Sequence, residues 1–183
     1  SFLLTALKQQ PTVQFSFTVP FDKNLCKEYL SILKMRPLLI LDSQKQLQEV
    51  VENGLKSTTN EEIVLALKVA RICSSMLWGS SEELICRIYS YQSSSCIAIR
   101  HQVIRIIGQF QKQHQAVVSA ALFDSSPIIR KTALKLLFKQ ENLNQYSMLP
   151  DILNDESFEV TSVFLDIMNN IYHTNPMLFA PFV

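Results

Sequence analysis

The stretch SPIIRKTALKLLFKQ, residues 126–140, decides how the rest of the chain reads. Ser126 stands before Pro127, and proline is tolerated at a first helical position because the amide hydrogen it lacks has no partner there. Beyond it, Ile129, Ala133, Leu136 and Leu137 recur at intervals of three and four, the spacing of one helix face. The pattern is present 30 residues earlier in CIAIRHQVIRIIGQF (96–110), where Ile99, Arg100, Val103 and Ile107 fall on Ile129, Arg130, Ala133 and Leu137. A step of 31 forward, FEVTSVFLDIMNNIY (158–172) puts Val160, Thr161, Phe164 and Met168 at those places. An offset of 34 backward sets Leu65, Val69 and Cys73 on Ile99, Val103 and Ile107. Shorter helical segments follow at 81–91, 114–123 and 144–154. Recurrence of this kind, with two helices per unit, marks a stack in which each unit covers its neighbour's apolar face.

Outward from this core the signals stay helical. Ser43 with Gln46, Thr59 with Glu62 and Ser80 with Glu83 have capping-box spacing, in which side chains satisfy the free amides of a first turn. Gly79, after Trp78, suits a left-handed helix end. The spacing predicts helices near 22–36, 43–56, 60–77, 81–91, 96–111, 114–123, 127–139, 144–154 and 157–173, with others over 2–9 and from 176. Within 60–78, Ile63, Ala66, Leu67, Ala70, Cys73 and Leu77 share a face. One segment departs from this. Between Pro11 and Pro20, Val13, Phe15, Phe17 and Val19 alternate with polar residues, the period of an extended strand. It reads as a connector laid on the helices or as an edge for a partner strand. The expected division is an N-terminal helical segment, 1–59, with its extended stretch at 11–20, and repeats over 60–183. A start without Met and an end inside the apolar run Met177–Val183 read as a piece of a longer protein, truncated at its C-terminus.

Asp124, Pro127, Ile129-Arg130 and Ala133 together resemble the first helix of a HEAT repeat, whose pattern has Asp, often Pro, Val or Ile before Arg, and Ala three residues after it. The Ile99-Arg100 unit keeps part of this, with Val103 in the Ala position. The 158–172 unit has Thr161 in place of Arg, and the 60–77 unit has Ala66 there. The resemblance, which extends to the related armadillo repeats, spans 60–183. It implies an all-α fold, an α-solenoid of stacked antiparallel helix pairs forming a HEAT/armadillo-like superhelix. It also implies that the Arg holds acidic or carbonyl groups of its own or the adjacent repeat, while the Ala lets helices approach closely.

Composition excludes much else. Three glycines in 183 residues, none with a glycine neighbour, leave no phosphate-cradling loop and too few turns for an all-β fold. Cys26, Cys73, Cys86 and Cys96 form no C-x-x-C pair, and Cys73 and Cys96 read as small core hydrophobes in a reduced, intracellular protein. His101, His114 and His173 lack zinc-ligand spacing. Glu61-Glu62 and Glu82-Glu83 open helices, where negative charge favours the exposed amides. No apolar run approaches the ~20 residues of a membrane span. No enzyme motif, cofactor or metal is expected, and no membrane or small-molecule substrate.

Two functional readings follow. The resemblance implies a protein–protein interaction scaffold, a subunit of a multiprotein complex whose second helices line a binding surface. Glu83, Arg87, Tyr91, Gln115, Ser119 and Gln145 are the candidate positions on it. The alternative is nucleic-acid binding. Residues 96–140 carry seven basic groups against Asp124 alone, and 141–183 carry six acids and no Lys or Arg. Arg100, Arg105, Arg130, Lys131 and Lys135 would then meet phosphates.

Overall fold

The first helix pair forms because two apolar stripes meet. Gln44–Leu55 (α1) buries Leu47, Val51 and Leu55 at i, i+4 and i+8, and packs on Asn60–Ile72 (α2). In the computed structural model the described residues are 24, 27, 28, 30 and 31 and the stretches 44–73, 82–109, 115–139 and 149–174. Among them α2 is followed by Glu82–Ser90 (α3), Ile97–Ile107 (α4), Gln115–Ala120 (α5), Pro127–Lys139 (α6), Leu149–Leu153 (α7) and Phe158–Thr174 (α8). Short 3₁₀ turns, Tyr91–Ser93 and Ala121–Phe123, tighten the ends of α3 and α5. No strand occurs among the described residues. The extended reading at 11–20, the helices over 2–9 and from 176, the Gly79 helix end and the cap residues Ser43 and Ser80 lie outside them.

The chain divides into two units, residues 1–106 and 107–183. In the first, α2 buries Ile63, Ala66, Leu67, Ala70 and Cys73 as the spacing predicts, and also Leu65 and Val69. A helix apolar on more than one side is covered on more than one side. Burial pushes the Cys73 thiol up to about 12, leaving it inert as a nucleophile. Cys96 departs from its core reading: it is half-buried and occupies the cap of α4, where its carbonyl accepts from the amides of Ile99 and Arg100.

In the second unit α6 is the hub. It packs on α5, on the 121–123 turn and on α8, while α7 packs on α8. Its buried residues are Ile129, Arg130, Ala133, Leu134 and Leu137. Phe138 of α6 meets Phe164 of α8 edge to face, ring centroids 6.3 Å apart. Gly108 marks a close approach in this unit, since a Cβ there would fall under 3 Å from three carbons of the Leu136 side chain. On α8 only Val160 and Phe164 of the predicted face are fully buried; Val163, Ile167 and Ile171 are half-exposed. Periodicity marks which face is apolar, and a neighbour decides how much of it is covered.

Candidate functional site

One turn geometry recurs at the start of α4, α6 and α8. Its first residue (Ser94, Asp124, Asp155) donates its amide to the carbonyl three residues back, on Tyr91, Ala121 and Ile152, at 3.1, 3.3 and 3.2 Å. The side-chain oxygen of that same residue accepts the amide two residues on, from Cys96 at 3.2 Å, Ser126 at 2.8 Å and Ser157 at 2.8 Å. This local loop holds the cap residue in place. The cap carbonyl then receives two helix amides, those of Ile99 and Arg100, Ile129 and Arg130, and Val160 and Thr161.

A fourth version stands before α2. Thr59 donates its amide to Ser57 Oγ at 3.0 Å, and its carbonyl accepts from Ile63. Thr59 caps α2 as the sequence predicts, its hydroxyl accepting the Glu62 amide at 3.4 Å. The Glu62 carboxylate bonds Ser57 Oγ instead of returning to the Thr59 amide, so the capping box closes through a third residue. These caps correct the backward alignment. Thr59 corresponds to Cys96, 37 residues away rather than 34, and Ile63, not Ala66, occupies the arginine position. A slip of three keeps every residue near the same helix face, so periodicity alone could not separate the two registers.

The arginine position distinguishes the copies. Arg100 Nη1 donates to the carbonyls of Ser94 and Ser95 at 2.7 and 3.2 Å. Arg130 Nη1 makes the same pair of bonds, to Asp124 at 2.8 Å and Ser125 at 3.3 Å. Arg130 also reaches into the next junction: Nε and Nη2 grip the two Asp155 oxygens at 2.7 and 2.8 Å, with Glu156 at 3.6 Å from Nη2. Both partners of this bidentate bridge are about nine-tenths buried. The hydrogen bond to Asp155 raises the Arg130 guanidinium above its ordinary value and holds the Asp155 carboxyl below the usual carboxylate range. Beside it, Lys131 Nζ donates to Glu159 at 2.5 Å, which lowers that exposed carboxyl. A cavity of about 300 Å³ opens here, lined by Phe123, Asp151, Ile152, Glu156 and Val160 around the Arg130–Asp155 bridge.

The remaining candidates are scattered. Arg87 and Glu83 form an exposed i, i+4 pair on α3 at 3.3 Å. The Tyr91 hydroxyl donates to the Leu55 carbonyl at 2.6 Å, so part of this residue serves the end of α1. Ser119 is half-buried on α5, Gln115 begins that helix, and Gln145 lies outside the described residues. Arg105 is half-exposed and Lys135 exposed. Arg71 lies on α2; burial, and then the like charge of Arg105, lower its pKa. No group of three His, Cys, Asp or Glu able to hold a metal exists among the described residues, and no described helix is long and apolar enough to cross a membrane. Asp155, the acidic partner of Arg130, was not among the candidate positions read from the sequence; its place 31 residues after Asp124 was the available signal.

Residues 115–137, which comprise α5, its 3₁₀ turn, the Asp124 junction and most of α6, match the family described as HEAT repeat associated with sister chromatid cohesion. The match supports the HEAT-repeat resemblance. Among curated proteins and among solved structures, no match to the chain is found.

Proposed function

We propose that this chain is a length of HEAT-like solenoid, built from antiparallel helix pairs, that acts as a protein-interaction scaffold in a multiprotein assembly inside the cell. The observation that carries the reading is the Arg130–Asp155 bridge: an arginine at one junction holds the first residue of the next, in the place where the repeat pattern needs a tie. Packing of α6 on α8 supports the stacking. The description of the matched family makes a chromosome-associated assembly, and hence the nucleus, the first setting to test. Glu83, Arg87 and Ser119, with Gln115, Tyr91 and Gln145, are the proposed partner-facing positions.

Nucleic-acid binding is the weaker reading. Arg100 and Arg130 already hold carbonyls, and Arg130 and Lys131 hold carboxylates, which leaves Arg105 and Lys135 without an acceptor among the described residues. One experiment addresses both readings. Affinity capture with the wild-type chain is compared with capture by the double variant Glu83→Arg, Arg87→Glu, which preserves a charge pair on α3. The scaffold surface predicts that the variant loses a discrete set of proteins; an identical set removes these positions from it. Nuclease treatment and a salt series run alongside, and retained DNA or RNA that falls with salt promotes the second reading.

A further inference from the structure

Three cations of the first unit stand without a carboxylate. Counted from the caps Thr59 and Cys96, Lys68 on α2 and Arg105 on α4 hold the same register place. Arg71 lies one turn beyond Lys68 on the same helix face, and all three side chains are partly exposed. None of them has a hydrogen bond or ion pair among the described residues, and the Arg71 Nε is buried with no acceptor. Arg71 holds the place that Phe138 has on α6, from which a side chain reaches the helix that follows. What it meets there is a like charge, since Arg105, after burial itself, depresses the Arg71 pKa. Two guanidinium groups held near each other, one of them partly dry and neither neutralised, cost free energy until an anion joins them.

The neighbouring sequence does not bring that anion. Residues 74–81 and 108–114, which lead away from α2 and α4, contain no Asp or Glu, and α4 has none of its own. On α2, Glu61 and Glu62 lie in the first turn, away from Arg71 in the last, and Ser57 holds the Glu62 carboxylate. The chain also shows which anion suits an arginine edge: Arg130 grips both oxygens of Asp155 through Nε and Nη2. The Nε of Arg71 is an orphan, so turning that edge onto a carboxylate breaks no existing bond. We propose that Lys68, Arg71 and Arg105 form a docking site for an acidic segment of a partner protein, the two arginines clamping one carboxylate and Lys68 meeting a second. Charge complementarity sets the class of partner. Among the described residues of this unit no aromatic ring is fully exposed for a base to stack on, which favours a peptide carboxylate over a nucleic-acid phosphate. The inference rests on the scaffold reading and gives it a partner chemistry.

The probe is a short fluorescein-labelled peptide of alternating Glu and Gly, titrated against the whole chain by anisotropy, with the matching Gln and Gly peptide as neutral control. Saturable binding of the acidic peptide alone is expected, falling about tenfold between roughly 50 and 500 mM salt as the charges are screened. Arg71→Met should weaken it about tenfold and Lys68→Gln about threefold; Arg71→Lys should fall between wild type and Arg71→Met, because an ammonium keeps the charge and lacks the planar fork. A second readout separates a docking residue from a structural one. With a like charge removed, Arg71→Met should melt no lower than the wild type, and a lower melting point would make Arg71 structural and overturn the proposal. Binding of the neutral peptide, unchanged binding by Arg71→Met, or no saturable binding would each overturn it, the last whether the site is inert or an acid of this chain already fills it. Tighter binding of single-stranded DNA, lost with Arg71→Met, would assign the cations to phosphates and overturn the carboxylate. Affinity capture separates the two levels. A discrete protein set captured by the wild-type chain without peptide binding sinks this site alone, whereas no captured set sinks the scaffold reading and this inference with it.

Discussion

The turns into α6 and α8 share their backbone hydrogen bonds and differ at the arginine position. At both, an aspartate accepts the amide of the serine cap at 2.8 Å, and that serine's carbonyl starts the helix. Arg130 then spans its own turn and grips the next junction, whereas Thr161 folds back onto carbonyls of its own first turn. The local turn therefore forms with or without the arginine, and the tie to the next junction is a separate device. One fixes where a helix begins; the other fixes what it leans on.

Breaking the tie should have the largest effect. Arg130→Met removes one partner of a nearly buried ion pair and leaves Asp155 without its counter-charge, at a cost of about 3–5 kcal/mol. Chemical denaturation checks this, and the double variant with Asp155→Leu should recover part of the loss. The same tie predicts acid sensitivity. The folded-state pKa of Asp155 lies below its value in the unfolded chain, so the unfolded state takes up the proton first as pH falls. Its contribution is complete above roughly pH 5 and fades as pH drops through the folded value. Melts at falling pH should show Asp155→Asn, already weakened, losing less than the wild type. Equal slopes would mean the bridge is not what acid breaks.

Next in size are substitutions that compare a covered place on α6 with the exposed one that corresponds to it on α8. Leu134→Ala should cost about 2–5 kcal/mol, the range for emptying a filled core site, while Leu165→Ala at the same register place should stay within about 0.5 kcal/mol. Similar losses at both places would show that α8 is covered in solution. Gly108→Ala belongs to this scale too. Its new methyl meets Leu136, so about 1–3 kcal/mol is expected, and Leu136→Ala in the same chain should relieve the clash although it leaves a space of its own.

How much of this was legible in the sequence follows from the range of each interaction. The α6 start at Pro127, the Thr59 cap and the 30- and 31-residue steps are local or periodic, and the structure has them. The structural work of Arg130 was implied by the repeat resemblance; its partner Asp155 was not, because the contact depends on the chain returning 25 residues later. The basic block read as a surface for phosphates, yet part of it meets the acidic block as Arg130–Asp155 and Lys131–Glu159. Tyr91 shows the same limit. Its polar-face position was readable, and its bond to Leu55, 36 residues earlier, was not. Leu134 was missed because it lies off the Ile129–Ala133–Leu137 face and is buried by a different neighbour.

The finest discrimination comes from Thr161→Arg, which restores the repeat pattern at the junction before α8, where the described residues lack it. The backbone there already offers what Nη1 requires, since the carbonyls of Asp155 and Glu156 correspond to those of Asp124 and Ser125 that serve Arg130. What it lacks is a third junction with an acid for Nε and Nη2 among the described residues. The new guanidinium also enters the field of Asp155 and Glu156, which favours it, and it displaces two weak hydroxyl bonds at 3.1 and 3.4 Å. These terms are small and partly opposed, so stability should move by no more than about 0.5 kcal/mol. A gain of several kcal/mol would instead reveal that a carboxylate reaches this face in solution. In that case the exposed face of α8 would close by the same ion-paired tie that joins α6 to the Asp155 junction.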